Sequence, residues 1–157
     1  MSRAERAKEL FKQGYACSQA VALSFCDVCG VNEEIIAKLT LPFGGGLGRM
    51  RLTCGAVSGM AVVVGLLFAE SEVVPENKKT VYEITQMLCK KFQEENGSLI
   101  CADLLTGANV QVAIGGNAEK RTEEYYKKRP CADIVYSAAK ILEEYLQNLL
   151  MEEVTIH

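Results

Sequence analysis

The chain has 157 residues, of which 49% are hydrophobic and 24% are charged, a composition typical of one folded domain and not of a disordered polymer. Its 20 acidic and 17 basic side chains give a formal net charge of −3. This balance argues against nucleic acid and against an acidic membrane surface as a partner, because both require a basic face. We therefore expect a single domain over residues 1–157.

The first thirty residues carry both signs of charge and no apolar leader segment, so we expect a cytoplasmic protein. The longest apolar run extends from Cys54 to Ala69 and has no charge in sixteen residues, whereas a bilayer requires about 20. We interpret this run as a buried core helix and expect no membrane span.

Three helices are predicted in the first third of the chain. A capping-box pattern in residues 2–5 begins the first helix, which Gly14 ends. The second is predicted over residues 15–30. The third, capped by Asn32, is predicted to run to about Thr40, where the following proline closes it.

The middle of the chain combines a glycine-rich loop with the central helix. Four glycines within residues 43–51 indicate a loop with unusual dihedral angles. Thr53 is a plausible cap for the helix that follows. That helix, over residues 54–70, is apolar all round and is expected at the centre of a bundle. Three glycines in it offer small surfaces for close packing: Gly55, Gly59 and Gly65.

The last half of the chain also shows helical periodicity. An amphipathic helix is predicted over 77–96, a short helix capped by Ser98 over 99–105, and a C-terminal helix over 132–151. Residues 108–118 are expected to form a loop or a short strand. No segment shows sustained alternation, so the predicted fold is all-α, a single-domain bundle of six or seven helices around the central helix.

Cysteine is the compositional anomaly of this chain. Seven cysteines are many for a reducing compartment, and their odd number does not suggest a disulfide framework. The single histidine, His157, is the last residue, which disfavours histidine catalysis and histidine-rich zinc sites. Function is therefore to be sought in the thiols.

Four cysteines fall at predicted helix starts. The helix dipole and the free amide groups at such a start favour the thiolate, which is both the nucleophile and the metal ligand. Nearby cations strengthen the effect, since two arginines precede the second of these cysteines and residues 127–129 precede the last. The four are Cys17, Cys54, Cys101 and Cys131.

The other three cysteines lie elsewhere in the predicted helices. Cys89 is in the middle of a helix and is expected to pack as a small hydrophobic residue. Cys26 and Cys29 lie in the last turn of the second predicted helix. Their Cys-x-x-Cys spacing lacks the strand-helix context of a redox motif, so buried packing is the preferred interpretation.

The order of these motifs resembles the C_GCAxxG_C_C family of redox-active proteins, which is defined by four cysteines, the second of them inside Cys-Gly-Ala-x-x-Gly. The resemblance covers about residues 5–145 and implies that the family's cysteines fall on the four named above. It implies redox activity but no established reaction. The segments that carry it are Gly14–Ala20, Phe43–Gly48, Cys54–Gly59, Gly97–Cys101 and Cys131.

The first functional hypothesis is electron transfer by an iron-sulfur cluster held by these four cysteines. A related domain occurs in split-Soret cytochromes, where the cysteines look like iron-sulfur ligands. This chain lacks the Cys-x-x-Cys-His motif, so no covalent haem is expected. Six further residues are expected to surround the cofactor and to donate hydrogen bonds to its sulfur atoms: Gly44, Gly45, Gly46, Arg49, Arg51 and Gly55.

Two alternatives remain open at this stage. In one, the protein is a thiol-disulfide oxidoreductase with Cys54 as the attacking thiolate and Cys17 as the resolving cysteine. In the other, it is a structural or interaction protein that binds zinc or no metal. A redox partner protein is expected under the first two hypotheses. Whether the chain is an enzyme or an electron carrier stays open, as does its oligomeric state, with a homo-oligomer among the options.

Overall fold

The computed structural model describes residues 1–156, with side chains for residues 1–154. Regular structure in this range is helical, apart from one isolated β-bridge, so the all-α prediction is confirmed. None of the described helices is long and apolar enough to cross a membrane. The helices are α1 (Arg3–Lys12), α2 (Cys17–Leu23), α3 (Cys26–Cys29), α4 (Glu33–Thr40), α5 (Gly44–Leu47), α6 (Gly55–Phe68), α7 (Pro75–Asn96), α8 (Cys101–Gly107), α9 (Glu123–Lys128) and α10 (Cys131–Ile156), with a 3-10 turn at Leu41–Phe43.

The first helix begins with the predicted capping box. Ser2 Oγ accepts from the Glu5 amide at 3.1 Å, and the Glu5 carboxylate accepts from the Ser2 amide at 2.8 Å. α1 then packs along the last helix, α10, where the Arg3 amide donates to Glu143 Oε2 at 2.6 Å. The start of α1 therefore lies beside the middle of α10.

The predicted second helix is wrong in one respect, because the chain forms two helices with a break between them. Ser24 Oγ donates to the Val21 carbonyl at 2.7 Å, and the Arg3 guanidinium donates to the Ser24 carbonyl at 2.8 Å. These bonds replace the regular backbone hydrogen bonds of a helix at this point. As a result Cys26 begins α3 instead of lying in the last turn of α2.

The central apolar helix is confirmed as α6, with small differences at its ends. Its N-cap is Cys54 and not Thr53, and it ends at Phe68. α2, α7 and α10 pack against it. A Cβ on Gly59 would lie 2.8 Å from the Ser18 carbonyl oxygen, so this glycine allows α2 to approach closely as expected. Gly65 has no such neighbour within 4 Å.

The second half of the chain follows its predicted pattern, with one helix missed. α7 starts two residues earlier than predicted, and its inward side chains Leu88 and Phe92 are fully buried. Ser98 is not the cap of α8, although its hydroxyl accepts from the Ile100 amide at 3.0 Å. The missed helix is α9, whose cap is Thr122. In the chain, α9 lies between the loop that follows α8 and the start of α10.

Candidate functional site

The four cysteines of the motif line one cavity, which we call the cysteine chamber; its volume is about 210 Å³. Three of them are the first residues of α2, α8 and α10, and the fourth is the N-cap of α6. Their predicted positions at helix starts are therefore confirmed, while their chemical roles stay predictions. The four are Cys17, Cys54, Cys101 and Cys131.

Backbone pairing holds two of these cysteines in register. Thr53 and Ile100 form the isolated antiparallel bridge. On either side of it the Cys54 amide donates to the Leu99 carbonyl at 2.8 Å, and the Cys101 amide donates to the Leu52 carbonyl at 2.6 Å. The starts of α6 and α8 are thereby fixed against each other.

Close packing of α2 on α6 brings Cys17 and Cys54 together at the chamber, near enough for each thiol to shift the pKa of the other. Gly55 makes this approach feasible, because a Cβ at this position would lie 2.5 Å from Cys17 Sγ and 2.9 Å from the Phe43 carbonyl oxygen. The glycine that follows the cysteine in the Cys-Gly-Ala-x-x-Gly motif thus has a steric explanation. The last glycine of the motif, Gly59, lies against Ser18 in the same way.

The contact polarises the pair toward a thiolate on Cys17. The Cys54 thiol donates to Cys17 Sγ, and the backbone amides of Gly45 and Ser18 and the charge of Arg121 add to this, lowering the pKa of Cys17 to about 6 despite burial. The same hydrogen bond, together with burial and the negative charge on Cys17, raises the pKa of Cys54 well above its ordinary value.

The pKa directions favour roles opposite to the predicted ones of attacking and resolving cysteine. Cys54 is only 6% exposed and its pKa is raised, whereas Cys17 is half-buried and its pKa is lowered. A nucleophile must be both ionised and reachable. The attacking role of Cys54 stays a prediction, and Cys17 becomes a second candidate for that role.

The remaining two chamber cysteines are held as thiols. Burial raises the pKa of Cys101, and Arg51 Nη1 at 3.6 Å from its Sγ opposes this effect. Burial and the negative charge of Cys17 raise the pKa of Cys131 to about 12. The pKa directions therefore favour a thiolate at Cys17 and thiols at the other three chamber positions.

Three cysteines do not line the chamber. Burial raises the pKa values of Cys26, Cys29 and Cys89, and Cys29 reaches about 11. Cys26 packs within the hydrophobic core, and the other two pack against it. These positions agree with the packing interpretation made from the sequence.

The residues expected to surround a cofactor mostly reach the chamber. Five of the six line it: Gly44, Gly45, Arg49, Arg51 and Gly55. Gly46 does not line it. A Cβ there would lie 2.6 Å from the Leu52 amide nitrogen and 2.7 Å from Cys101 Cβ, so this glycine lets the loop pack against the start of α8.

The glycine-rich loop has a strained left-handed backbone, as its composition predicted, so α5 is a tight turn within this loop and not a regular helix. Every residue from Gly45 to Arg49 has positive φ, and Arg51 follows with φ of 60°. L-residues in this region cost about 1–2 kcal/mol each. Hydrogen bonds to the loop 110–118 stabilise this strained conformation. Arg49 Nε donates to the Gly115 carbonyl and Arg51 Nε donates to the Ala113 carbonyl, both at 2.9 Å.

Sequence reasoning missed the second wall of the chamber, which the segment around α9 provides. The Arg121 guanidinium lies 4.3 Å from the Phe11 ring centroid and donates to the Phe11 carbonyl at 3.0 Å. Arg129 was expected only as a cation near the last cysteine. It is buried, forms an ion pair with Glu119 and lies over the Tyr125 ring. The cap at Thr122 was the available signal for this element.

No group of three or more histidine, cysteine, aspartate or glutamate side chains among the described residues is arranged to hold a single metal ion. Such an ion needs its sulfur ligands about 2.3 Å away. A cluster of several irons holds its cysteines farther apart, and four thiols around one cavity supply the donor type it requires. The donor type therefore suits an iron-sulfur cluster, and four thiols are also a donor set that zinc binds.

Comparison with protein families gives one finding. The family model described as "Putative redox-active protein (C_GCAxxG_C_C)" matches residues 15–145, which is most of the chain. Comparison with curated proteins and with solved structures gives no match. The chain belongs to the C_GCAxxG_C_C family.

Proposed function

We propose that this protein is a thiol-disulfide redox protein whose reactive centre is the pair of Cys17 and Cys54. The observation that carries the proposal is that both cysteines line one chamber, where Cys17 Sγ lies against Gly55, the residue that follows Cys54. In this setting the pKa of Cys17 is lowered to about 6, first by hydrogen bonding from Cys54. A low thiol pKa, partial exposure and a neighbouring thiol are the properties of a dithiol redox site.

The reaction conserves atoms and electrons as a dithiol-disulfide exchange. The Cys17 thiolate attacks one sulfur of an oxidised partner's disulfide, forming a mixed disulfide and releasing the other partner sulfur as a thiolate. Cys54 then loses its proton and attacks Cys17 Sγ, forming the Cys17–Cys54 disulfide and releasing the second partner sulfur. Two electrons and the one proton of Cys54 pass from the pair to the partner, whose other sulfur leaves as a thiolate and takes any further proton from solvent.

The first step also prepares the second. Two of the causes that raise the pKa of Cys54 are its hydrogen bond to Cys17 and the charge on that sulfur. Both vanish when Cys17 becomes part of a mixed disulfide. The pKa of Cys54 then falls, which makes the resolving thiolate available when it is needed.

The pH dependence of alkylation tests this proposal. With iodoacetamide and mass-spectrometric peptide mapping, the rate at Cys17 should rise to a plateau with a midpoint near pH 6, following its lowered pKa. Below that midpoint the rate should fall about tenfold per pH unit, because the thiolate is lost. Cys89 is the internal control, since burial raises its pKa. A midpoint for Cys17 equal to or above that of Cys89 would contradict the proposal.

A second candidate function is electron transfer by an iron-sulfur cluster. The observation that favours it is that all four motif thiols line the same chamber. Cys17, Cys54, Cys101 and Cys131 would hold the cluster, which would supply one-electron redox chemistry. The amide of Gly45 and the Arg51 guanidinium already point at sulfur atoms, and such donors raise the potential of a bound cluster.

Metal analysis separates the two candidates. Protein purified without oxygen is measured by ultraviolet-visible spectroscopy and analysed for iron, sulfide and zinc. Under the cluster candidate the sample is brown, Cys131→Ser abolishes iron and sulfide, and Cys89→Ser retains both. Under the dithiol proposal the wild type is colourless, and Cys131→Ser leaves the low alkylation midpoint of Cys17 in place. A brown wild type with stoichiometric iron and sulfide would overturn the dithiol proposal.

A further inference from the structure

The walls of the cysteine chamber carry an excess of positive charge. Four arginines line it against a single carboxylate, Glu119, although the chain as a whole has a net charge of −3. The arginines come from both walls, two from the glycine-rich loop and two from the segment that flanks α9. They are Arg49, Arg51, Arg121 and Arg129.

Three of these cations have no carboxylate partner in the part of the chain that the structure describes. Arg129 pairs with Glu119. Arg51 is only 6% exposed, yet its hydrogen bonds go to the Ala113 carbonyl and to Cys101 Sγ. Carbonyl oxygens satisfy the N–H groups of a guanidinium but do not neutralise its charge.

The acidic side chains of the chamber compensate only part of this excess. Glu119 is the one carboxylate among the lining residues that the structure describes, and it pairs with Arg129, which leaves three guanidinium groups without an acidic partner. Buried cations without counter-ions are unfavourable and attract anions. A guanidinium group also matches the geometry of a carboxylate with two parallel hydrogen bonds.

The position of two arginines is itself enforced. Arg49 and Arg51 both have positive φ, and their Nε atoms are tied to carbonyls of the loop 110–118. The backbone conformation therefore brings both side chains to the chamber at a cost in strain, and such strain concentrates at functional sites. The chamber volume of about 210 Å³ admits only a small molecule or the end of a longer one.

We infer that the chamber binds a small anion, and that the oxidised partner which Cys17 reduces is a small disulfide carrying carboxylate groups. The inference rests on the proposed dithiol function for the reaction, but the anion subsite rests on the arginines alone. Arg49 and Arg51 would bind the carboxylate beside the sulfur under attack. A neutral disulfide of the same size lacks this interaction and is a poorer substrate.

A matched pair of disulfides tests substrate charge. Dithiodiglycolate is an anion, and 2-hydroxyethyl disulfide has the same bond and similar length without charge. The rate at which the wild-type protein reduces each disulfide is measured at pH 7 and low salt. To remove differences in intrinsic reactivity, this rate is divided by the rate at which free 2-mercaptoethanol reduces the same disulfide. We expect at least a tenfold preference for the anion, which weakens as salt is added. A ratio of one would overturn the inference.

Arginine variants test which side chains cause the preference for the anionic disulfide. A ligand that cannot react tests anion binding independently of the redox proposal. Arg51→Gln and the half-buried Arg49→Gln should each lower the anion preference severalfold, while Arg6→Gln, whose side chain pairs with Glu33 outside the chamber, should retain it. Thiodiglycolate has the carboxylates but no disulfide. Its binding, measured by calorimetry, should be lost in Arg51→Gln.

The two proposals fail differently in this design. Binding of thiodiglycolate without reduction of either disulfide would overturn the dithiol function and keep the anion subsite. Reduction of both disulfides with no charge preference and no thiodiglycolate binding would overturn the anion subsite and keep the dithiol function. If Arg51→Gln does not fold, Arg49→Gln provides the same comparison.

Discussion

Replacing Cys54 with alanine is expected to raise the alkylation midpoint of Cys17 from about pH 6 toward that of an ordinary thiol, because it removes the hydrogen bond that contributes most to the lowered pKa. It also removes the resolving sulfur. A mixed disulfide between Cys17 and a small disulfide substrate should therefore accumulate. Both effects are measured on the same samples, the first by alkylation at several pH values and the second by intact mass.

Cys54→Ser separates the two roles of this residue. The serine hydroxyl still donates a hydrogen bond to Cys17 Sγ, so the low midpoint should be largely retained. It cannot form a disulfide, so the mixed disulfide should still be trapped. If the mixed disulfide resolves in both variants, the resolving cysteine is Cys101 or Cys131, and the assignment of Cys54 is overturned.

The second large effect is expected at Gly55. A methyl group there would lie 2.5 Å from Cys17 Sγ and 2.9 Å from the Phe43 carbonyl oxygen, which is a backbone atom that cannot move freely. Gly55→Ala should therefore separate α2 from α6, lower the free energy of unfolding by about 1–3 kcal/mol and abolish the low midpoint of Cys17. Urea unfolding and the alkylation profile measure the two consequences.

Gly65→Ala is the matched control in the same helix. No atom lies within 4 Å of a Cβ at Gly65, so the substitution meets open space. Alanine has the higher helix propensity, and the variant should be more stable than wild type by about 0.5–1 kcal/mol. Equal behaviour of Gly55→Ala and Gly65→Ala would show that the contact with Cys17 does not determine the geometry of the pair.

The helical fold and the positions of the motif cysteines were predictable because both depend on local signals. Caps and glycines mark helix ends, and each motif cysteine lies within one residue of such an end. The break at Ser24 was not predictable. It depends on the Arg3 guanidinium, which is 21 residues away in sequence and reaches the Ser24 carbonyl only in the folded chain.

The lowered pKa of Cys17 relative to Cys54 was also beyond local reasoning. The arginines before Cys54 suggested that this sulfur is the ionised one. In the structure Arg51 points to Cys101 instead, while the Gly45 amide points to Cys17. Which of two touching sulfurs holds the proton depends on hydrogen bonds from other segments, and periodicity carries no information about them.

The same limit explains the missed arginine wall. Arg121 contacts Phe11 and Tyr15 across more than a hundred residues. In the sequence it is one cation in a polar stretch with no periodic pattern. Its role emerges only when the first helix is packed beside the segment that precedes α10.

The pairing of α1 with α10 has a consequence for the biogenesis of this protein. Cys17 is near the start of the chain, whereas Cys131 begins the helix that packs on α1 and α2. The chamber therefore closes only after the segment from Cys17 through the start of α10 has left the ribosome. Until then the thiols already synthesised are open to oxidants and to wrong pairing.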